Sequence, residues 1–195
     1  GFISSLAILL MIGLQTIYHR NLNKNDIPTL LLSLVLVGLG ILLRVPAPHH
    51  DSLKPDSIFA FFQSAFKILA WPENVPLIAL IFIIPLILFF RNSFKERPKK
   101  EDTIIAVLII WITLQLGALS YSRGGNHLGI ASRYTDLFSI YLILSGLCIL
   151  TLCTRYVRNK LIQSVIILMW AIPISTGMYS KCSSFIKKTG PKLLT

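Results

Sequence analysis

The stretch Tyr121-Ser-Arg-Gly-Gly-Asn-His-Leu-Gly-Ile-Ala-Ser-Arg-Tyr-Thr-Asp136 places two arginines, a histidine and a carboxylate in one loop between long apolar runs. Gly124-Gly125-Asn126 predicts a turn directly after Arg123. If Arg123 ends one run and Arg133 opens the next, the loop folds back and brings both guanidiniums over one hollow. A guanidinium keeps its charge and grips phosphate or carboxylate with two parallel hydrogen bonds. Arg123, Gly124, Arg133 and Tyr134 are therefore the candidate substrate-binding set. His127 titrates near neutrality and is a candidate general acid or base. Asp136 is a candidate base, or a partner that orients Arg133. Each residue also has a structural role open to it. The arginines can snorkel to a membrane surface beside Tyr121 and Tyr134. His127 can be a solvated loop residue. Asp136 can serve the dipole in the first turn of a helix capped by Thr135 or Ser132.

Other polar positions point to chemistry less strongly. His49-His50-Asp51 offers metal-type ligands, but adjacent histidines point apart and no third spaced ligand follows. The three cysteines, Cys148, Cys153 and Cys182, have no zinc or disulfide spacing and read as free thiols. No metal or cofactor is expected. Gln15, Gln115 and Gln163 lie inside apolar runs, where interhelical hydrogen bonding is the simplest role.

The elements that hold these residues are hydrophobic. Apolar residues make up 54% of the 195 and charged residues 14%, against about 25% charged in soluble domains. The mean hydropathy is +0.70. The net charge of +11 sits in short Lys/Arg clusters between apolar runs, a pattern of membrane topology rather than nucleic-acid binding. Six runs, at about 2–18, 28–44, 74–90, 103–121, 135–154 and 161–179, approach the roughly 20 residues a spanning helix needs. They lack the alternation of a membrane barrel. The expected architecture is an all-α integral membrane protein with about six transmembrane helices over 1–180 and a basic extramembrane tail over 181–195. Arg20 and Lys24, the Arg91–Lys100 cluster, and Arg155, Arg158 and Lys160 mark three cytoplasmic loops. The 121–136 loop is then outside. The tail, with Lys181, Lys187, Lys188 and Lys192, breaks the rule: either the last run does not cross fully, or, the preferred reading, the tail starts an exported segment.

Between Pro55 and Pro72, the residues 57–71 predict one amphipathic helix. Phe59, Phe62 and Phe66 form an apolar face, and the helix lies in the outer interface or packs on the bundle. Pro85 and Pro173 should kink the third and sixth spans. No internal repeat is visible. With no initiator Met and no basic n-region before the first apolar run, the chain reads as part of a larger protein.

Ser122-Arg-Gly, followed by Gly129-Ile-Ala-Ser-Arg-Tyr-Thr-Asp-Leu-Phe138, resembles a segment of large bacterial multi-pass membrane proteins of surface polysaccharide and glycolipid assembly. In layout these are similar to lipid-linked glycosyltransferases with an extracytoplasmic site. The resemblance covers about 123–145. Gly-Asn-His stands where the pattern is often more apolar, and the acidic residue of an early outer loop is missing. It implies an envelope protein of the bacterial inner membrane that binds a polyprenyl-phosphate-linked sugar among membrane lipids, and it supports this glycan or lipid-phosphate substrate class more than glycosyl transfer itself. Two alternatives remain: a transporter or flippase module for an anionic solute or lipid, and a non-catalytic subunit with membrane-protein partners.

Overall fold

The computed structural model describes residues 2–19, 24–43, 53–73, 75–93, 100–124 and 134–189. Among them there are seven α-helices and no strand: α1 (Phe2–His19), α2 (Ile27–Leu42), α3 (Ile58–Leu69), α4 (Ala79–Ser93), α5 (Lys100–Arg123), α6 (Thr135–Tyr156) and α7 (Lys160–Thr189). Single 3-10 turns at Lys24–Asp26 and Pro76–Ile78 lead into α2 and α4. Each of the six apolar runs is helical over most of its described residues. Four segments are long and apolar enough to cross a membrane: Pro76–Ser93, α5, α6, and α7 as far as Lys187. The other apolar helices, α1, α2 and α3, are shorter.

The core lies where α4, α5 and α6 meet, around Phe82, Phe89, Ile112, Phe138, Tyr141 and Cys148. The opposite faces carry Ile84, Ile87, Leu108, Ile143 and Leu147 uncovered by protein. An apolar exterior of this kind suits a lipid solvent, where every backbone polar group must be satisfied within helices. α1 packs on α5 through Met11 and Ala106, and α2 packs on α1.

One polar chain crosses this apolar core. Trp170 Nε1 donates to Ser145 Oγ at 3.2 Å, and Ser145 Oγ donates to the Phe82 carbonyl at 2.8 Å. Pro85, three residues after Phe82, supplies no N–H to the helix. The carbonyl that loses its helical donor as a result is that of Ile81, and the Ser145 bond falls on the next carbonyl along, that of Phe82. The chain thereby links α7, α6 and α4. Gly146 makes room for it, since a Cβ there would lie 2.9 Å from the Trp170 ring. Further along α7, Thr176 Oγ1 donates to Glu73 Oε1 at 2.8 Å. A Cβ on Gly177 would stand 2.8 Å from Pro72. Apart from these seats α7 barely packs: only 6% of its spanning window is buried. It also runs on past the expected end near 179 to Thr189. Thirty residues at about 1.5 Å each give a rod of about 45 Å, longer than the roughly 30 Å hydrocarbon layer.

The amphipathic helix forms as α3. Ser57 caps it, its Oγ accepting from the Ala60 N–H at 3.1 Å. Ser64 and Ile68 face inward, and Phe59, Phe62 and Phe66 are exposed. The two readings of this segment therefore combine: one face packs on α5 and α4, and the aromatic face stays uncovered.

Candidate functional site

The loop that carries the candidate chemistry is only partly described. Arg123 and Gly124 end α5, and Tyr134 and Asp136 open α6. His127 and Arg133 lie outside the described residues, as do Ser132 and the His49-His50-Asp51 cluster. The pairing of the two guanidiniums therefore rests on the sequence.

The described residues build one hollow at this end. A groove of about 570 Å³ lies between the end of α2, the end of α5 and the start of α6. Gly40 and Ile41 form one wall; Gln115, Ala118, Leu119, Tyr121 and Ser122 form the second; Tyr134 and Leu137 form the third. The lining is largely apolar; Tyr121, Ser122 and Tyr134 stand at the helix ends, the mouth of the groove, and Gln115 lies about two turns deeper along α5. Gly40 lowers one wall because it has no side chain. Of the expected binding residues, Tyr134 lines the groove. Arg123 follows Ser122 on the last turn of α5 and is partly exposed. A cation there also meets the negative end of the helix dipole.

Gly124 does a different job. A Cβ on it would meet the Ser120 carbonyl oxygen and approach Ser64 at 3.2 Å and Pro55 at 3.3 Å. This close approach seats α3 on the end of α5. Lys54, just before Pro55, stands 5.9 Å from the centre of the Tyr121 ring, a cation–π distance.

Asp136 is exposed in the first turn of α6 and does not line the groove. The expected cap is corrected: Tyr134 takes the N-cap position and makes no side-chain capping bond. Thr135 instead offers its carbonyl to Ser139 Oγ at 2.9 Å. The glutamines divide likewise. Gln163 Nε2 donates to the Cys153 and Val157 carbonyls at 3.2 and 2.6 Å, tying α7 to the end of α6. Gln115 is a groove residue, which sequence reasoning treated as a packing group. The signal for it was its position two turns before Arg123, on the α5 face that also carries Ala118 and Ser122.

Comparison with protein-family models, curated proteins and solved structures gives no match.

At the opposite end of the bundle a second polar feature stands outside the predicted set. Asp102, in the first turn of α5, accepts both terminal nitrogens of Arg155, in the last turn of α6, at 2.7 and 3.0 Å. Each charge opposes the dipole end on which it sits. The pair joins antiparallel neighbours and serves architecture, and the groove between α2, α5 and α6 does not reach it.

Proposed function

We propose that this chain is a multi-pass membrane protein of bacterial envelope glycan or glycolipid assembly, crossing the membrane six times. At its outer face it binds a phosphate-bearing lipid such as a polyprenyl-phosphate-linked sugar. The groove between α2, α5 and α6 is the observation that carries this reading. Its largely apolar lining suits a hydrocarbon chain, and its polar mouth lies on the turn that ends in Arg123. A phosphate at that mouth can accept from Tyr121, Ser122 and Tyr134, while Arg123 and Arg133 supply charge and a bidentate fork. His127 stands in the same loop for proton transfer. The described lining supplies no carboxylate, so binding is the activity these residues support most directly.

The test is ligand binding by the purified chain in nanodiscs, comparing a short polyprenyl phosphate with the matching neutral polyprenol. The phosphate should bind at least tenfold more tightly. Arg133→Lys should remove most of that preference, because an ammonium cannot replace the planar fork. Equal affinity for the two lipids, or an unchanged preference in Arg133→Lys, returns the arginines to an anchoring role.

A further inference from the structure

Tyr121 lines the mouth of the groove, yet it is 52% exposed. Ser122, beside it, spends its hydroxyl proton on the Leu119 carbonyl at 3.3 Å, a bond it must exchange before it can donate to an occupant. The phenol is therefore the more available donor on this wall. A half-exposed ring on the last turn of a helix is free to change rotamer, and a ligand that uses it must first stop that motion.

A cation stands over this ring. Lys54 Nζ lies 5.9 Å from its centre, within the reach of a cation–π contact. Lys54 does not line the groove, so its route to an occupant runs through the ring. The lysine is itself held in place. It precedes Pro55, and the residue before a proline is confined to extended backbone, while the proline has its own φ fixed. Pro55 lies against the end of α5, 3.3 Å from where a Cβ on Gly124 would stand, and Ser64 of α3 is there at 3.2 Å. What Gly124 supplies to the site is this close approach. It lets α3 and its lead-in carry an ammonium to the groove wall on a stiff mount.

We infer that Lys54 is a positioning residue of the groove's phosphate site: its ammonium holds the Tyr121 ring so that the phenol proton faces a phosphate at the mouth. This rests on the phosphate-lipid reading of the groove. A donor already held in place gives up less freedom when the ligand arrives, so the contact is read out as affinity.

The test uses the full chain in nanodiscs. With meta-fluorotyrosine in place of tyrosine, the Tyr121 signal is the fluorine resonance lost in Tyr121→Phe. Lys54→Met should shift that resonance, and Lys54→Arg, which keeps a cation suited to an aromatic face, should shift it less. A short polyprenyl phosphate should bind Lys54→Met about two- to fivefold more weakly, the worth of one exposed cation–π contact. Lys54→Arg should bind it about as tightly as the native chain. In a Tyr121→Leu background, Lys54→Met should cost nothing further, because the lysine acts through the ring. An unmoved Tyr121 resonance in Lys54→Met overturns the assignment. So does the absence of any affinity loss, and so does an equal loss in both backgrounds, which would make Lys54 a direct phosphate ligand. Equal native affinity for the phosphate and the neutral polyprenol would instead sink the phosphate-lipid reading, and the Tyr121 resonance would then decide alone whether the lysine holds the ring.

Discussion

Asp102 and Arg155, 53 positions apart in the chain, meet in a two-pronged ion pair at one end of the bundle. The carboxylate side chain is 8% exposed and the guanidinium 40%. One partner is thus well desolvated while the other keeps contact with solvent or head groups. A pair of this kind costs more to break on one side than to delete on both, because removal of the arginine leaves a carboxylate without its cation.

Arg155→Ala is therefore expected to destabilise the bundle by about 1–3 kcal/mol, the partial exposure of the arginine holding the figure below that of a fully buried pair. The double variant Asp102→Ala/Arg155→Ala should recover part of that loss. A double-mutant cycle from denaturant unfolding in detergent measures the coupling. Additive effects would show that the pair contributes contact without stability.

The seat of α7 on α6 gives a second prediction. Ser145→Ala leaves the Trp170 N–H without its acceptor and takes the side-chain donor from the Phe82 carbonyl. In a membrane protein such a bond is worth about 1 kcal/mol. Gly146→Ala acts sterically, driving a methyl group into a rigid indole, with a cost of about 1–3 kcal/mol for overpacking. Because α7 has few other buried contacts, both changes should loosen that helix selectively. Faster proteolysis or hydrogen exchange across Lys160–Thr189, with α4–α6 unchanged, is the expected readout.

Much of the fold was legible because lipid makes hydropathy a direct signal of helical spans. Six apolar runs became six helices, and the bracketing prolines with the aromatic face gave α3. The end of α7 was missed, since hydropathy fades after Tyr179. Nothing in Ser180–Thr189 breaks a helix, however, and the stop signal in the sequence is Gly190-Pro191 beyond it. The ion pair was not legible for another reason. Asp102 and Arg155 each read locally as flanking charges, and only the antiparallel packing of α5 and α6 brings them together. The groove was half legible: Tyr134 was expected there, but Gly40, Ile41 and Gln115 enter it through neighbour relations that no local pattern encodes.

For α3, the exposed Phe59 and the buried Ser64 predict opposite environments on one short helix. A Phe59→Trp variant should be quenched by brominated lipid placed just under the head groups, and its emission should shift to the blue. A Ser64→Cys variant should resist a water-soluble maleimide. Red-shifted, unquenched emission from Phe59→Trp would put the aromatic face in water and remove the interfacial assignment.

The outer placement of the groove can be tested on the native topology. Cys148 and Cys153 are buried and Cys182 is exposed, so Cys182→Ser provides a quiet background. Ser122, at the mouth of the groove, and Arg158, between α6 and α7, are both exposed and lie at opposite ends of α6 and its neighbours. The positive charges near Arg155 and Arg158 favour the cytoplasmic side for that end. In intact cells, Ser122→Cys should react with a membrane-impermeant maleimide, whereas Arg158→Cys should react only after permeabilisation. The reverse pattern would place the groove in the cytoplasm and remove the outer-leaflet substrate. If the orientation holds, Ala118→Trp should then lower polyprenyl-phosphate binding at least tenfold by filling the groove. The labelling of Ser122→Cys in that variant would stay the same, which separates a blocked groove from a misfolded chain.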